Sequence, residues 1–143
     1  RRARSAWASN YFDLNLYARP VKIIYPKLKE LCFPDCLMTN FHLDPTANLL
    51  EIEMEEAYLD GDLPSGKLTV ANWEAIEIKQ YRLESEDWAN VDPANGEAIS
   101  EILEQTFTED QVVLKGFGVK THHWTEHLFV NPEAYFEFKP NDA

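Results

Sequence analysis

The sequence predicts an α+β, strand-rich domain: an antiparallel sheet or a β-sandwich with one helix packed against it. Two patterns carry this prediction. From residue 37 onward most apolar side chains alternate with polar ones, the period of a half-buried strand. Over about residues 93–107 apolar side chains instead recur every three or four residues, the period of an amphipathic helix. With 143 residues, 45% of them hydrophobic, the chain is expected to form a single globular domain over 1–143.

The alternating segments lie in residues 37–139, which we expect to form the sheet-and-helix body. Residues 1–36 lack this periodicity and are expected to be irregular, apart from a short strand near 21–25 and a short helix near 26–32. Because the chain opens on Arg1 rather than Met, non-native sequence is also expected there. The clearest alternation falls in 49–59, where one face carries Leu50, Ile52, Met54 and Tyr58 and the other carries Glu51, Glu53 and Glu55.

The helix prediction rests on the spacing of Ile99, Ile102, Leu103 and Phe107. Asp92 is a suitable N-cap, and Pro93 suits the first turn because its missing N–H would be unpaired there in any case. We therefore expect Ile99, Ile102 and Leu103 to be buried against the sheet.

Residues 73–83 contain a change of phase. Ile76 and Ile78 share one phase, and Tyr81 and Leu83 share the other. If all four apolar side chains face the core, a β-bulge near Lys79-Gln80 is required. Residues 84–92, rich in acids, are expected to form a loop.

The heptapeptide THHWTEH, residues 121–127, contains the H-x-x-E-H pattern of zinc peptidases. That chemistry requires a helix, which brings both histidines to one side within one turn. The flanking residues favour a strand, in which His123 and His127 lie about four rises of 3.3 Å apart, too far to share one zinc ion. We therefore expect Trp124, Leu128 and Val130 to face the core and the two histidines to lie on the other side.

The remaining motifs do not predict a catalytic or metal site. Cys32 and Cys36 supply at most half of a zinc site and are expected to be reduced thiols. Asp60-Gly61-Asp62 lacks the later ligands of a calcium loop and is expected to be a turn. Gly116-Phe117-Gly118 is expected to be a backbone bend rather than a phosphate-binding loop. No cofactor and no metal are predicted.

Charge gives the main functional signal. Residues 44–110 contain 18 Asp and Glu against Lys67, Lys79 and Arg82. This block repels nucleic acid and anionic lipid and attracts a basic protein. Trp73, Trp88 and Trp124 are candidate aromatic anchors of an interface. The predicted partner-binding residues are Glu51, Glu53, Glu55, Asp60, Asp62, Glu86, Asp87 and Trp88.

The segments LEIEMEEAYLDG (50–61), GKLTVANWEAIEIKQYRL (66–83) and VVLKGFGVKTHHWTEHLFVN (112–131) resemble the small, acidic, strand-rich immunity proteins that bacteria make against their own cationic toxins. The resemblance implies a non-catalytic, cytoplasmic inhibitor that covers a basic toxin. Two alternatives stay open: a carbohydrate-binding β-sandwich, and a small hydrolase with acidic catalytic residues that no motif locates. The oligomeric state is also open.

Overall fold

The computed structural model describes residues 21–33 and 37–140, which form ten β-strands in two antiparallel five-stranded sheets. The strand order is β1-β10-β4-β3-β2 in the first sheet and β6-β5-β9-β8-β7 in the second. The strands are β1 (Lys22–Ile24), β2 (Leu37–Asp44), β3 (Leu49–Glu55), β4 (Gly66–Ala71), β5 (Ala75–Arg82), β6 (Asp87–Val91), β7 (Ile99–Phe107), β8 (Gln111–Gly118), β9 (Trp124–Val130) and β10 (Glu133–Phe138).

The two sheets share one hydrophobic core. The inner face of the first sheet contributes a row of apolar side chains in register across all five strands, namely Ile23, Phe136, Leu68, Ile52 and Phe41. The second sheet contributes side chains including Ile102, Leu114 and Phe129 to the same core. Trp73, in the connection between the sheets, packs against Phe129 with ring centroids 4.8 Å apart.

The predicted helix over 93–107 is wrong. Within the described residues the only helical segments are two 3₁₀ turns, Lys27–Glu30 and Pro93–Asn95, and Ile99–Phe107 is strand β7. The domain is therefore all-β rather than α+β. Asp92 does cap, since its Oδ1 accepts from the N–H of Ala94 at 3.0 Å, but it caps a single turn.

Two β-bulges explain why β7 has the spacing of a helix. The register with β8 shifts between Ile99 and Glu101 and again between Ile102 and Glu104. Each shift inserts one extra residue and delays the next inward side chain by one position. Ile99 and Ile102 are buried as predicted, but Leu103 is an extra residue of the second bulge and is 43% exposed.

The predicted bulge near Lys79-Gln80 is also wrong. Strand β5 pairs with β6 and β9 without any register shift. Alternation therefore continues through β5, so Gln80 faces inward and Tyr81 faces outward. The expected loop over 84–92 is instead a tight turn followed by strand β6.

Gly116 has a packing role at the first bulge of β7. A Cβ placed on Gly116 would lie 2.0 Å from the carbonyl oxygen of Glu101 and 2.6 Å from Ile99 Cγ2. The Gly116-Phe117-Gly118 segment thus allows close approach of two strands and continues to the end of β8. Among the described residues, no helix has the length and apolarity required to cross a lipid bilayer.

Candidate binding surface

Four aromatic side chains form a continuous row across the outer face of the second sheet. Trp88 on β6 pairs with Tyr81 on β5, Tyr81 pairs with Trp124 on β9, and Trp124 pairs with Phe117 on β8. Residues paired across strands point to the same side of a sheet, so the four rings occupy one surface. We call Trp88, Tyr81, Trp124 and Phe117 the aromatic row.

The row is partly open to solvent and internally packed. Trp88 is 49% exposed and Phe117 is 45% exposed, while Tyr81 and Trp124 between them are half-buried. The Trp88 and Tyr81 rings meet edge to face with centroids 5.5 Å apart, as do Phe117 and Trp124 at 5.4 Å. Such contacts hold the rings in place on the surface.

Acidic side chains border the Trp88 end of the row. The turn between β5 and β6 and the first residue of β6, together residues 83–87 with the sequence LESED, form what we call the acidic turn. Glu84, Glu86 and Asp87 in it are exposed, and so is the apolar side chain of Leu83, the first residue of the turn. Glu84 Oε2 also lies 3.9 Å from His123 Nε2 in the loop between β8 and β9, beyond hydrogen-bond range.

A second row on the outer face consists of charges of alternating sign. Lys79, Glu126 and Lys115 are in register across β5, β9 and β8. Glu126 accepts a hydrogen bond from the indole N–H of Trp124 at 3.0 Å, and Lys79 Nζ lies 6.0 Å from the centre of the Trp88 ring. These contacts orient the two tryptophans at the middle and the end of the aromatic row.

Polar side chains occupy the inner face directly beneath the aromatic row. Gln80, next to Tyr81, is buried, and so is Thr125, next to Trp124. The amide of Gln80 donates to Glu97 Oε2 at 2.7 Å and to Thr125 Oγ1 at 3.2 Å. Together with Thr121 these residues form what we call the polar cluster, namely Gln80, Glu97, Thr121 and Thr125.

The Glu97 carboxylate is the centre of the polar cluster. It is 8% exposed. Its Oε1 accepts from the backbone N–H of Lys120 at 2.6 Å and of Thr121 at 3.0 Å, and its Oε2 accepts from Thr121 Oγ1 at 2.7 Å. Burial alone would raise the Glu97 pKa, but the hydrogen bonds from Thr121, Lys120 and Gln80 outweigh it and hold the pKa below its ordinary value.

His127 lies two residues beyond Thr125 on the same inner face and is completely buried. Its ring packs against Phe41 at 5.8 Å and Phe129 at 6.3 Å, and neither ring nitrogen has a hydrogen-bond partner among the described residues. Burial lowers the pKa of His127 to about 4, against the opposing effect of the Glu97 charge. The imidazole is therefore neutral at pH 7.

The strand predicted for the THHWTEH segment is confirmed, but the assignment of its faces is wrong. Trp124–Val130 is β9, with His127 inside and Trp124, Leu128 and Val130 half-buried on the outer face. Within residues 21–33 and 37–140, no three His, Cys, Asp or Glu side chains are arranged to hold a metal ion. Thr121 and Thr125 of this segment both accept hydrogen bonds from the amide of Gln80 in the polar cluster.

The other predicted acidic residues lie on the first sheet, away from the aromatic row. The outer faces of β1, β10, β4 and β3 carry a row of alternating charge, Lys22, Glu137, Lys67 and Glu53. Glu51 Oε2 is 3.0 Å from Lys67 Nζ, and Glu55 is exposed at the end of β3. The acidic face of β3 is thus interleaved with lysines.

Asp60 and Asp62 lie in the connection between β3 and β4. Asp60 forms an ion pair with Lys27, which raises the pKa of the lysine through their hydrogen bond. Asp62 is exposed, and its backbone N–H donates to the carbonyl of Leu59 at 2.9 Å in the predicted turn. Cys32 is half-buried, and Cys36 lies outside the described residues.

The structure therefore brings together Glu86, Asp87 and Trp88 of the predicted site and joins them to Trp124. Sequence reasoning missed Tyr81, Phe117 and the polar cluster. A signal for the two aromatic side chains was present: each lies two residues from a lysine, Lys79 for Tyr81 and Lys115 for Phe117. Unbroken alternation places each aromatic side chain on the same face as that lysine.

Comparison of the chain with protein-family models, with curated proteins and with solved structures yields no match.

Proposed function

We propose that this chain is a non-catalytic protein-binding module that binds a basic protein through the aromatic row and the acidic turn. The observation that carries the proposal is the in-register row of four aromatic side chains on an outer sheet face, with both ends about half exposed. Tryptophan and tyrosine dominate the binding energy of protein interfaces because they bury a large area at a small entropy cost. Without a partner, aromatic side chains exposed to this extent do not gain the free energy that burial of their apolar area would release.

The charge of the surrounding surface selects the class of partner. The acidic turn, with the exposed residues Glu84, Glu86 and Asp87, directly precedes Trp88 in a chain of formal charge −12. The cation beside the Trp88 ring is Lys79, whose Nζ lies 6.0 Å from the ring centre. Carboxylates at the rim of an apolar patch speed the encounter with a cationic partner and disfavour anionic ones. Neutralisation of a basic toxin in the cytoplasm is the specific form of this function that we favour.

Site-specific photo-cross-linking tests the proposal. A benzoylphenylalanine at Phe117 should cross-link the partner, and the same group at Tyr135, an outward aromatic residue of the first sheet, should not. With the purified partner, Trp88→Ala should weaken binding by at least about tenfold, a typical hot-spot effect, whereas Tyr135→Ala should leave affinity unchanged. Cross-linking and loss of affinity at Tyr135 alone would place the interface on the first sheet.

Carbohydrate binding is the second candidate, because an exposed aromatic row also stacks on sugar rings. The edge-to-face packing of Trp88 on Tyr81 and of Phe117 on Trp124 argues against it, since neighbouring rings cannot both lie flat beneath one sugar. Titration with soluble oligosaccharides of several linkages should leave the tryptophan fluorescence unchanged. A saturable change that is absent from Trp88→Ala would favour the sugar-binding function.

A further inference from the structure

At one end of the second sheet the usual placement of side chains is reversed, with polar groups on the inner face and aromatic side chains on the outer face. At β5, β9 and β8 in turn, each aromatic side chain of the row has a neighbour in sequence that faces the polar cluster: Gln80 beside Tyr81, Thr125 beside Trp124, and Gly118 beside Phe117. Buried polar groups normally reduce stability unless every one is hydrogen-bonded, and aromatic side chains normally lie inside. Both departures from these rules lie at the same place in the sheet, on its two faces.

We propose that Glu97 is the positioning residue of the binding surface: its buried carboxylate fixes the loop between β8 and β9, residues 119–123, and with it the placement of Phe117 and Trp124, the residues of the aromatic row on either side of that loop. The binding consequence rests on the proposed function, whereas the positioning of the loop does not.

The hydrogen bonds of Glu97 support this role. The connection before β7, which carries Glu97, is linked by them to the loop through Lys120 and Thr121 and to β5 through Gln80. A carboxylate that accepts four hydrogen bonds is held in one orientation, and each charged hydrogen bond is stronger than a neutral one. The sheet therefore has a rigid support beneath the Tyr81 and Trp124 rings.

The backbone is shaped around the same carboxylate. A Cβ on Gly118 would lie 2.5 Å from Glu97 Oε1, so only glycine fits at this position without displacing the carboxylate. Beyond it, His122 adopts a left-handed φ of 61°, and Thr121 Oγ1 accepts from the N–H of His123 at 3.1 Å. The chain of hydrogen bonds thus runs from Glu97 through Thr121 to His123, the residue immediately before Trp124 of the aromatic row.

Amide hydrogen exchange on the free protein tests the positioning. Glu97→Gln keeps one oxygen for the backbone N–H groups but sets an amide N–H against Gln80 and Thr121. We expect exchange at Lys120 and Thr121 to accelerate by about tenfold, the effect of one weakened charged hydrogen bond, and the indole N–H resonance of Trp124 to shift. Val112→Ala, which creates a cavity at the other end of β8, is the control for a general loss of stability and should leave both signals unchanged.

Affinity measurements with the purified partner that photo-cross-linking identifies complete the test. Glu97→Gln should weaken binding by about tenfold, while Val112→Ala should not. Unchanged exchange at Lys120 and Thr121 in Glu97→Gln and in Glu97→Ala would overturn the inference. Faster exchange with unchanged affinity would also overturn it if Trp88→Ala still weakens binding. If neither Trp88→Ala nor Glu97→Gln affects binding, the proposed function fails and the positioning of the loop by Glu97 stands.

Discussion

The two sheets of this domain distribute polar and apolar side chains between their inner and outer faces in opposite ways. The first sheet is apolar on its inner face, where Ile52 and Leu68 pack, and carries alternating Lys and Glu on its outer face. The second sheet, at the end formed by β5, β9 and β8, has aromatic side chains outside and the polar cluster inside. The first arrangement follows from burial of apolar area alone. The second requires a satisfied network of hydrogen bonds, and such local departures from packing rules are typical of functional sites.

The comparison also separates two kinds of acidic surface. Glu51 and Glu53 alternate with Lys67 on the first sheet, so much of their field is cancelled at short range. Asp87 is in register with Arg82, whereas Glu84 and Glu86 lie in the turn between the exposed Leu83 and Trp88. A partner bound there would exclude water and strengthen the attraction of these two carboxylates for a cation. A net charge counted over a sequence segment does not distinguish these two situations.

The largest expected effect concerns the core of the second sheet. Ile102→Ala should lower the free energy of unfolding by about 2–5 kcal/mol, because the side chain is fully buried. Leu103→Ala should cost less than about 1 kcal/mol, because this residue of the bulge is 43% exposed and lies outside the core. Urea denaturation of both variants measures the difference. Equal losses at the two positions would indicate a helix rather than the bulged strand β7.

The next effect concerns pH. The pKa of His127 is lowered to about 4 in the folded chain, below its ordinary value of 6.5, so the unfolded chain takes up the proton more readily. Stability from this group is therefore complete above pH 6.5 and is lost as pH falls from 6.5 toward 4. We expect the free energy of unfolding to drop by about 2 kcal/mol between pH 7 and pH 5.

His127→Leu is the control for the pH effect, since it keeps an apolar side chain between Phe41 and Phe129 and removes the titrating ring. The free energy of unfolding of this variant should change less between pH 7 and pH 5 than that of the parent. The difference between the two changes should equal the drop expected from His127. If the variant and the parent show identical pH dependence, His127 has solvent access or a hydrogen-bond partner in solution.

A matched pair of triple variants tests the two acidic surfaces. Replacing Glu84, Glu86 and Asp87 with their amides should slow association with the basic partner by about tenfold at low salt, because steering acts during encounter. Replacing Glu51, Glu53 and Glu55 with Gln removes the same charge from the first sheet and should slow it by less than about threefold, with little effect on dissociation. Stopped-flow rates across a salt series provide the measurement. A larger effect of the second triple variant would show that the interface lies on β3.

The smallest effect is expected at the ion pair of the first sheet. Lys67→Met removes the partner of Glu51 at a half-exposed position. Exposed ion pairs contribute about 0–1 kcal/mol, so thermal unfolding of this variant should differ from the parent by no more than a few degrees. A loss above about 2 kcal/mol in the free energy of unfolding would show that the charge row of the first sheet contributes as much to stability as the polar cluster does.

The sequence alone determined most of the strands, the Asp92 cap and the strand conformation of the histidine segment. Those features depend on local rules: side chains alternate along a strand, and Asp offers an acceptor to the following N–H groups. The same rules place Tyr81 and Phe117 on the charged faces of β5 and β8. The expectation that apolar side chains face the core assigns Tyr81 to the wrong face.

Only the tertiary structure decided what β7 is and what lies beneath the aromatic row. A bulge exists only between two paired strands, so the spacing of Ile99 and Ile102 could not reveal that β8 lies alongside them. The polar cluster likewise joins Gln80, Glu97 and Thr121, which are separated by 17 and 24 residues. Glu97 resembles any other acid of an acidic segment until the fold buries it against two backbone N–H groups. Charge, hydropathy and spacing are properties of the chain, whereas burial and hydrogen-bond satisfaction are properties of neighbours that only folding supplies.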